Sequence, residues 1–190
     1  MVYTMEFRVD GGCRGNGTES AIGAAAACRF FRGGSHKTRT QALDTYEYNA
    51  TNQRAEILAM TIALDWVLEK FKELNSYPRL RVKIYSDSRY AIGCMNEWIA
   101  KWSRNGWRNS QGKPVANRDL IEEASLLNDA VKELGTIRYI YIPREENMIA
   151  DAACNDALDE LEDDDDLTST DSSTGFYGYR TSRVPWGWWT

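Results

Sequence analysis

The 190-residue chain contains a single histidine, His36, and four cysteines, Cys13, Cys28, Cys94 and Cys154, with no CxxC pair among them. That scarcity suggests neither a zinc site nor a disulfide framework, and the thiols are expected to be reduced. Long apolar runs are missing too. The longest, such as Ala21 to Cys28, fall far short of the roughly 20 residues a membrane span needs, and no charged-then-apolar signal pattern opens the chain. The expectation is therefore an intracellular protein with no membrane partner. At 43% apolar residues the chain is long enough to bury one hydrophobic core.

An overall excess of positive charge is also absent. The formal net charge is -5, which at first argues against a nucleic-acid partner. The average conceals an uneven distribution. Residues 159–190 hold eight acids (Asp159, Glu160, Glu162, Asp163, Asp164, Asp165, Asp166 and Asp171) against Arg180 and Arg183, which leaves 21 bases and 20 acids in residues 1–158. Between Trp98 and Arg118 stand Lys101, Arg104, Arg108, Lys113 and Arg118 with no acid. A local basic surface of this kind is what phosphate binding requires.

What is present reads as a layered α/β domain. In Tyr3 to Asp10, apolar Met5, Phe7 and Val9 alternate with Glu6, Arg8 and Asp10, a strand expected to stop at Gly11 and Gly12. The small-residue run Ala21 to Phe31 and the Thr-rich Lys37 to Tyr46 complete a three-strand meander, with His36 in the intervening turn. From Thr51, Ile57, Met60, Leu64, Leu68 and Phe71 recur at helical spacing, with Glu56 in the first turn and Pro78 beyond the end. Arg81 to Tyr85 is a strand, and a second helix carries Tyr90, Ile92 and Cys94. Asp119 to Leu134 is helical, Ile137 to Ile142 a strand, and Glu146 to Leu161 the last helix. That order predicts a mixed sheet. We divide the chain into a domain over residues 1–162 and, over 163–190, a solvated acidic linker, Ser/Thr-rich and without periodicity from Asp163 to Gly175, followed by a tail aromatic in Phe176 to Trp189.

Asp10, Glu56, Asp87 and Asp151 stand where elements begin or end, as functional groups of open α/β sheets do. Any single one of them would more often be a cap or a surface charge. Together, without His or Cys, four carboxylates favour hard cations such as magnesium or manganese. Two such ions roughly 4 Å apart can activate water and stabilise a leaving oxygen of a phosphodiester. Uncompensated, the four would repel one another, so at least one pKa should be raised until cations bind.

The wording around these acids is Asp10-Gly11-Gly12 with Asn16-Gly17, Thr51-Asn52-Gln53-Arg54-Ala55-Glu56, Tyr85-Ser86-Asp87-Ser88, and Asn147-Met148-Ile149-Ala150-Asp151. A further phrase runs from Trp98 to Leu120, with Trp102, Gly106-Trp107, Lys113-Pro114-Val115, Asn117 and Asp119-Leu120. Over residues 5–160 the chain resembles the type 1 ribonuclease H family. The resemblance implies a ribonuclease H-like fold, a five-stranded mixed sheet flanked by helices. It also implies two Mg2+ ions, replaceable by Mn2+, held by Asp10, Glu56, Asp87 and Asp151, and an RNA/DNA hybrid as partner of a monomer. Asn16, Asn52 and Gln53, with Cys13 in the same loop, resemble residues that meet RNA sugars. Tyr90, Trp98 and Trp102 resemble the channel under the DNA strand, and Thr51 and Asn117 part of a DNA-phosphate pocket. Lys101, Arg104 and Arg108 resemble the basic protrusion.

Each has a plainer role available: Trp98 and Trp102 share a helix face and could be core, and Asn52 could cap its helix. Two departures stand out. Asn49 occupies the position where many relatives carry a phosphate-pocket arginine, so a weaker pocket is expected. The segment Tyr141-Ile142-Pro143-Arg144-Glu145-Glu146-Asn147 is shorter than the family loop that carries a histidine, and His36 is expected to take no part in catalysis. No hybrid-binding module precedes Met5, which predicts limited processivity. A hybrid-binding module with weakened catalysis and a retroelement-derived domain are the alternative readings, and a two-metal nuclease acting on DNA junctions is a third, against which the Asn52-Gln53 pair and the Trp98 to Leu120 protrusion speak.

Overall fold

The computed structural model describes residues 1–169, with side chains through Asp163. An antiparallel meander of β1 (Val2–Arg14), β2 (Ile22–Phe30) and β3 (His36–Ala42) comes first. Helix α1 (Asn52–Lys72) crosses back so that β4 (Arg79–Ser86) pairs with β1 in parallel. A short α2 (Arg89–Gly93) continues through a π-helical turn, Cys94–Trp98, into α3 (Ile99–Trp102). After the basic loop come α4 (Arg118–Leu134), β5 (Gly135–Tyr141) parallel to β4, a 3-10 turn Arg144–Glu146, and α5 (Met148–Ser169). The strand order β3-β2-β1-β4-β5 makes the expected five-stranded mixed sheet.

Strand alternation decides what each face buries. Met5, Phe7 and Val9 of β1, with Leu80, Val82 and Ile84 of β4, pack on Ile57, Met60, Leu64 and Val67 of α1. In β2, Ala25 and Ala27 join this core, while Ala24 and Ala26 meet Cys154 and Leu158 of α5 on the other face. A small-residue strand is therefore covered on both sides, which lets two helices approach the same stretch of sheet. No described helix is long and apolar enough to cross a membrane.

Several boundaries differ from those read in the sequence. Strand β1 does not stop at Gly11 and Gly12. Both remain paired with β2, opposite Ala25 and Ala24, and the ladder runs on to Arg14, so Cys13 lies in a strand rather than a loop. Strand β3 ends at Ala42 rather than Tyr46, where the Asp44 carboxylate accepts a hydrogen bond from the Tyr46 N–H at 2.9 Å and turns the chain. His36 opens β3 instead of sitting in the turn, its ring tilted against Phe30 with centroids 5.5 Å apart. Strand β5 begins two residues before Ile137, at Gly135. Glu56 is in the second turn of α1, and Thr51 caps that helix rather than Asn52, its hydroxyl accepting from the Arg54 N–H. The last helix begins at Met148 rather than Glu146 and passes Leu161 to Ser169. Arg14, at the end of β1, forms ion pairs with Asp159 and Glu162 and so offsets part of the charge that spoke against helix there. The aromatic end, Phe176 to Trp189, lies outside the described residues.

Candidate active site

The parallel register of β1 and β4 runs from Val2↔Arg79 to Arg8↔Tyr85. Extending it by two residues sets Asp10 beside Asp87, just past the carboxyl end of the ladder. Asn147 locks this pair: fully buried, it donates from Nδ2 to the Val9 carbonyl at 3.0 Å and to Asp87 Oδ1 at 2.8 Å. Its backbone carbonyl accepts from the N–H groups of Ala150 and Asp151 and so starts α5 directly over the same spot. Arg8 ties β1 to that loop by donating to the Glu146 carbonyl.

Glu56 reaches the site because Gly11 has no side chain. A β-carbon there would lie 2.1 Å from the Ala55 carbonyl carbon and 2.4 Å from the Glu56 nitrogen, so the Ala55–Glu56 peptide rests directly on β1. Asp151, in the first turn of α5, completes the group, and Arg144 forms an ion pair with it.

Electrostatics shows that the carboxylates act on one another. Burial, then the charges of Asp87 and Asp151, push the Asp10 carboxyl from its ordinary 3.8 up to about 7, against the N–H of Gly11 and the positive charge of Arg144. Burial chiefly, with Asp87 adding, also raises Glu56, while a hydrogen bond from Ser88 works the other way. Among the described residues no three Asp, Glu, His or Cys side chains already close into a cluster that would hold an ion. Arg144 occupies Asp151 and Asn147 occupies one oxygen of Asp87, which is how like charges settle when only protein groups are present to offset them.

The expected hybrid contacts fall into two groups. At the start of α1, Asn16 Oδ1 accepts from the Asn52 N–H at 3.1 Å, bringing Asn16 beside Thr51, Asn52 and the exposed Gln53. Cys13 lies near the β1 end of that loop, its thiol donating to the Arg14 carbonyl at 3.5 Å. In the second group, Asn117 Nδ2 donates to the Tyr90 hydroxyl at 3.1 Å, and Asn117 itself has φ 58°. From Tyr90 an aromatic row continues through Trp98, Trp102 and Trp107, with successive ring centroids 6.0, 5.7 and 6.5 Å apart.

The basic segment is less uniform than its composition. Lys101 is paired with Glu97 at 3.7 Å, just outside the acid-free stretch, and Arg118 with Glu122 at 2.9 Å. Arg108 holds its own loop by donating to the Gly112 carbonyl at 2.7 Å. Arg104 donates to the Ala100 carbonyl, and among the described residues neither Arg104 nor Lys113 forms an ion pair.

Three residues with positioning roles stand inside or beside the sequence phrases with nothing local to reveal those roles. Asn147 is one and Arg144 another. The third is Arg54, buried, whose guanidinium makes two hydrogen bonds to Asp119, at 3.0 and 2.7 Å, and stacks on Tyr48. The signal was there: Arg54 and Asp119 stand in two separate phrases that the fold brings into contact. His36, tilted against Phe30, pairs across the sheet four residues along β2 from Ala26, the partner of Asp10.

Comparison with known proteins bears on the family and the fold. The family model described as RNase H matches residues 3–161. The ribonuclease H of Dechloromonas aromatica is 33% identical over 162 residues, covering 83% of this chain and 95% of that protein. Among solved structures, LC9-RNase H1, a type 1 RNase H with the type 2 active-site motif, superimposes with TM-score 0.61 at 21% identity, over 81% of this chain and 71% of the other. LC11-RNase H1, solved in complex with an RNA/DNA hybrid, gives TM-score 0.58 at 19% identity, over 83% and 98%. These two likenesses concern the fold, and the family rests on the sequence matches: the chain belongs to the ribonuclease H family and is a ribonuclease H.

Proposed function

We propose that the chain cleaves the RNA strand of RNA/DNA hybrids at a site built from Asp10, Glu56, Asp87 and Asp151, with two divalent cations, Mg2+ or Mn2+. The observation that carries this reading is the convergence of four acids at one sheet edge: the β1–β4 register sets Asp10 beside Asp87, Gly11 seats Glu56 against β1 and Asp151 opens α5 above them, a crowding that, with burial, raises the Asp10 carboxyl to about 7. Such a group is short of positive charge, and a cation would supply it. The donor set fits hard, oxygen-loving ions, and the buried Asn147 Oδ1, which has no hydrogen-bond partner, adds a polar atom beside Asp87 that a bound water could satisfy. When bound, the ions would activate water and stabilise the leaving 3′ oxygen, giving 5′-phosphate and 3′-hydroxyl ends.

The chain's own residues have separable tasks. Asn147 fixes the spacing of Asp87 from β1, Gly11 sets the depth of Glu56, and Arg144 neutralises Asp151, a partner for which a bound cation would have to compete. Asn16, Asn52 and Gln53, with side-chain amides that both donate and accept, suit RNA 2′-hydroxyls. Thr51, Asn117 and the row from Tyr90 suit the DNA strand, with Arg104 and Lys113 supplying uncommitted charge and Lys101 and Arg108 adding to the field. We assign catalysis to residues 1–162 and no catalytic part to the tail.

Labelled RNA/DNA, RNA/RNA and DNA/DNA duplexes incubated with magnesium, manganese or EDTA test the reading. Only the hybrid should be cut, in its RNA strand and only with metal. Cleavage of pure DNA, or activity undiminished in EDTA, would overturn it. The alternative of a binding module with weakened catalysis predicts hybrid binding without turnover under the same conditions.

A further inference from the structure

Gly93 has φ -64° and ψ -42°, helical values that any residue adopts, so its backbone conformation does not call for glycine. In a helix, glycine is disfavoured relative to alanine. What calls for glycine is space. A β-carbon on Gly93 would lie 2.9 Å from both Cη2 and Cζ2 of Trp98 and 3.2 Å from its Cε2.

The indole reaches that position through the π-helical turn Cys94–Trp98, in which the Ile99 N–H donates to the Cys94 carbonyl five residues back. In an α-helix the residue one turn beyond Gly93 would be Glu97. The wider turn places Trp98 there instead, and because side chains of a helix lean toward its N-terminus, the ring lies back over Gly93. Seated there, Trp98 stands between the rings of Tyr90 and Trp102 and forms one wall of a groove of about 270 Å³ lined also by Arg89 and Tyr141.

We propose that Gly93 and the π turn are a positioning device: the missing β-carbon seats the Trp98 ring at the height at which it meets the DNA strand of the hybrid. The inference rests on the reading of Trp98 as a hybrid contact. It makes Gly93 a positioning residue whose effect is on binding, because a displaced ring meets the strand less well in the bound ground state and in the transition state alike. Alanine at this site should favour the helix by propensity while it pushes the ring away, so stability and affinity should move in opposite directions.

The test compares the full chain with Gly93→Ala, Trp98→Phe, Trp98→Ala and the double variant Gly93→Ala/Trp98→Phe. KM and kcat are measured on a labelled hybrid, hybrid Kd by anisotropy with calcium in place of magnesium, and Tm by calorimetry. Gly93→Ala should raise KM and Kd about tenfold, leave kcat within twofold, and leave Tm unchanged or higher. The smaller ring should make room, so the double variant should bind within threefold of Trp98→Phe alone. If Trp98→Ala weakens binding and Gly93→Ala does not, the seating role is wrong. A fall of Tm, kcat and affinity together in Gly93→Ala would mark an ordinary packing residue and would equally overturn it. If Trp98→Ala changes neither KM nor Kd, the assignment of Trp98 to the hybrid interface fails, and the inference fails with it.

Discussion

Changing Asp10 to Asn should stabilise the metal-free protein at alkaline pH while it abolishes turnover. The Asp10 carboxyl titrates near 3.8 in an unfolded chain and at about 7 in the fold, chiefly because it is buried and next because Asp87 and Asp151 face it. A carboxyl with a raised folded-state value favours the fold only while protonated. Its contribution is fully present below about pH 4 and is lost as pH rises through about 7. At about 1.4 kcal/mol per tenfold change in proton affinity, the loss between those limits is on the order of 4 kcal/mol, a large share of the 5–15 kcal/mol typical of a domain. Relaxation and water entry at this partly exposed edge reduce this to roughly 2–4 kcal/mol.

Asparagine keeps the shape of the side chain and removes the charge, so the variant escapes the loss. Urea denaturation followed by tryptophan emission, in EDTA, gives the comparison at each pH. Near pH 4.5 the variant should be ahead by only about 1 kcal/mol, because the unfolded carboxyl is already mostly ionised there. At pH 8.5 the variant should be the more stable by about 2–4 kcal/mol, and saturating magnesium should narrow or reverse the order, because cations bind the folded wild type preferentially. A variant less stable than wild type at pH 8.5 in EDTA, or a difference that does not grow with pH, would refute the argument.

Gly11→Ala would set a β-carbon 2.1 Å from the Ala55 carbonyl carbon, a backbone atom that cannot turn aside, and should destabilise the fold by more than about 3 kcal/mol in the same assay. Arg104→Gln with Lys113→Gln should weaken hybrid binding and reduce the slope of log affinity against log salt, by up to about 0.9 for each phosphate no longer neutralised; an unchanged slope would remove both from the interface. Arg144→Met removes the cation that now pairs with Asp151. It should lower the magnesium concentration needed for half-maximal cleavage by severalfold, and a rise in that concentration would show that Arg144 helps the site to load rather than competing with metal. A chain ending at Ser169 should cut hybrid at the full rate, and a folded but inactive truncation would show that the tail completes the site.

The strands and helices were legible wherever a period reported burial on one side. Met5, Phe7 and Val9 alternate because β1 has one face on α1, and the helical spacing from Ile57 to Phe71 follows from the same contact. The reading failed where a residue's reason lay elsewhere in the chain. Gly11 and Gly12 look like a stop because glycine punctuates local structure. Their use here is tertiary: Gly11 admits the Ala55–Glu56 peptide, and Gly12 lies under Leu158 and Cys154. The acidic chain after Leu161 carries no apolar period that would extend the helix, and only the fold reveals Arg14 against Asp159 and Glu162, on either side of Leu161.

The four carboxylates were legible as a set because each sits in a distinctive phrase, but the phrases do not say how the acids are held. That information is in pairs of residues far apart in the chain: Asn147 with Val9 and Asp87, Gly11 with Ala55, Arg54 with Asp119. Each pair joins residues from two different phrases or their immediate neighbours, which explains why the phrases occur together. A carboxylate can be placed at a sheet edge by its own strand or helix, but its distance from a second carboxylate is fixed only by a group that touches both elements. Asn147 is that group for β1, β4 and α5. Its replacement by an aliphatic side chain of similar size would leave the four acids in the sequence and remove the bonds that tie Asp87 and the start of α5 to β1.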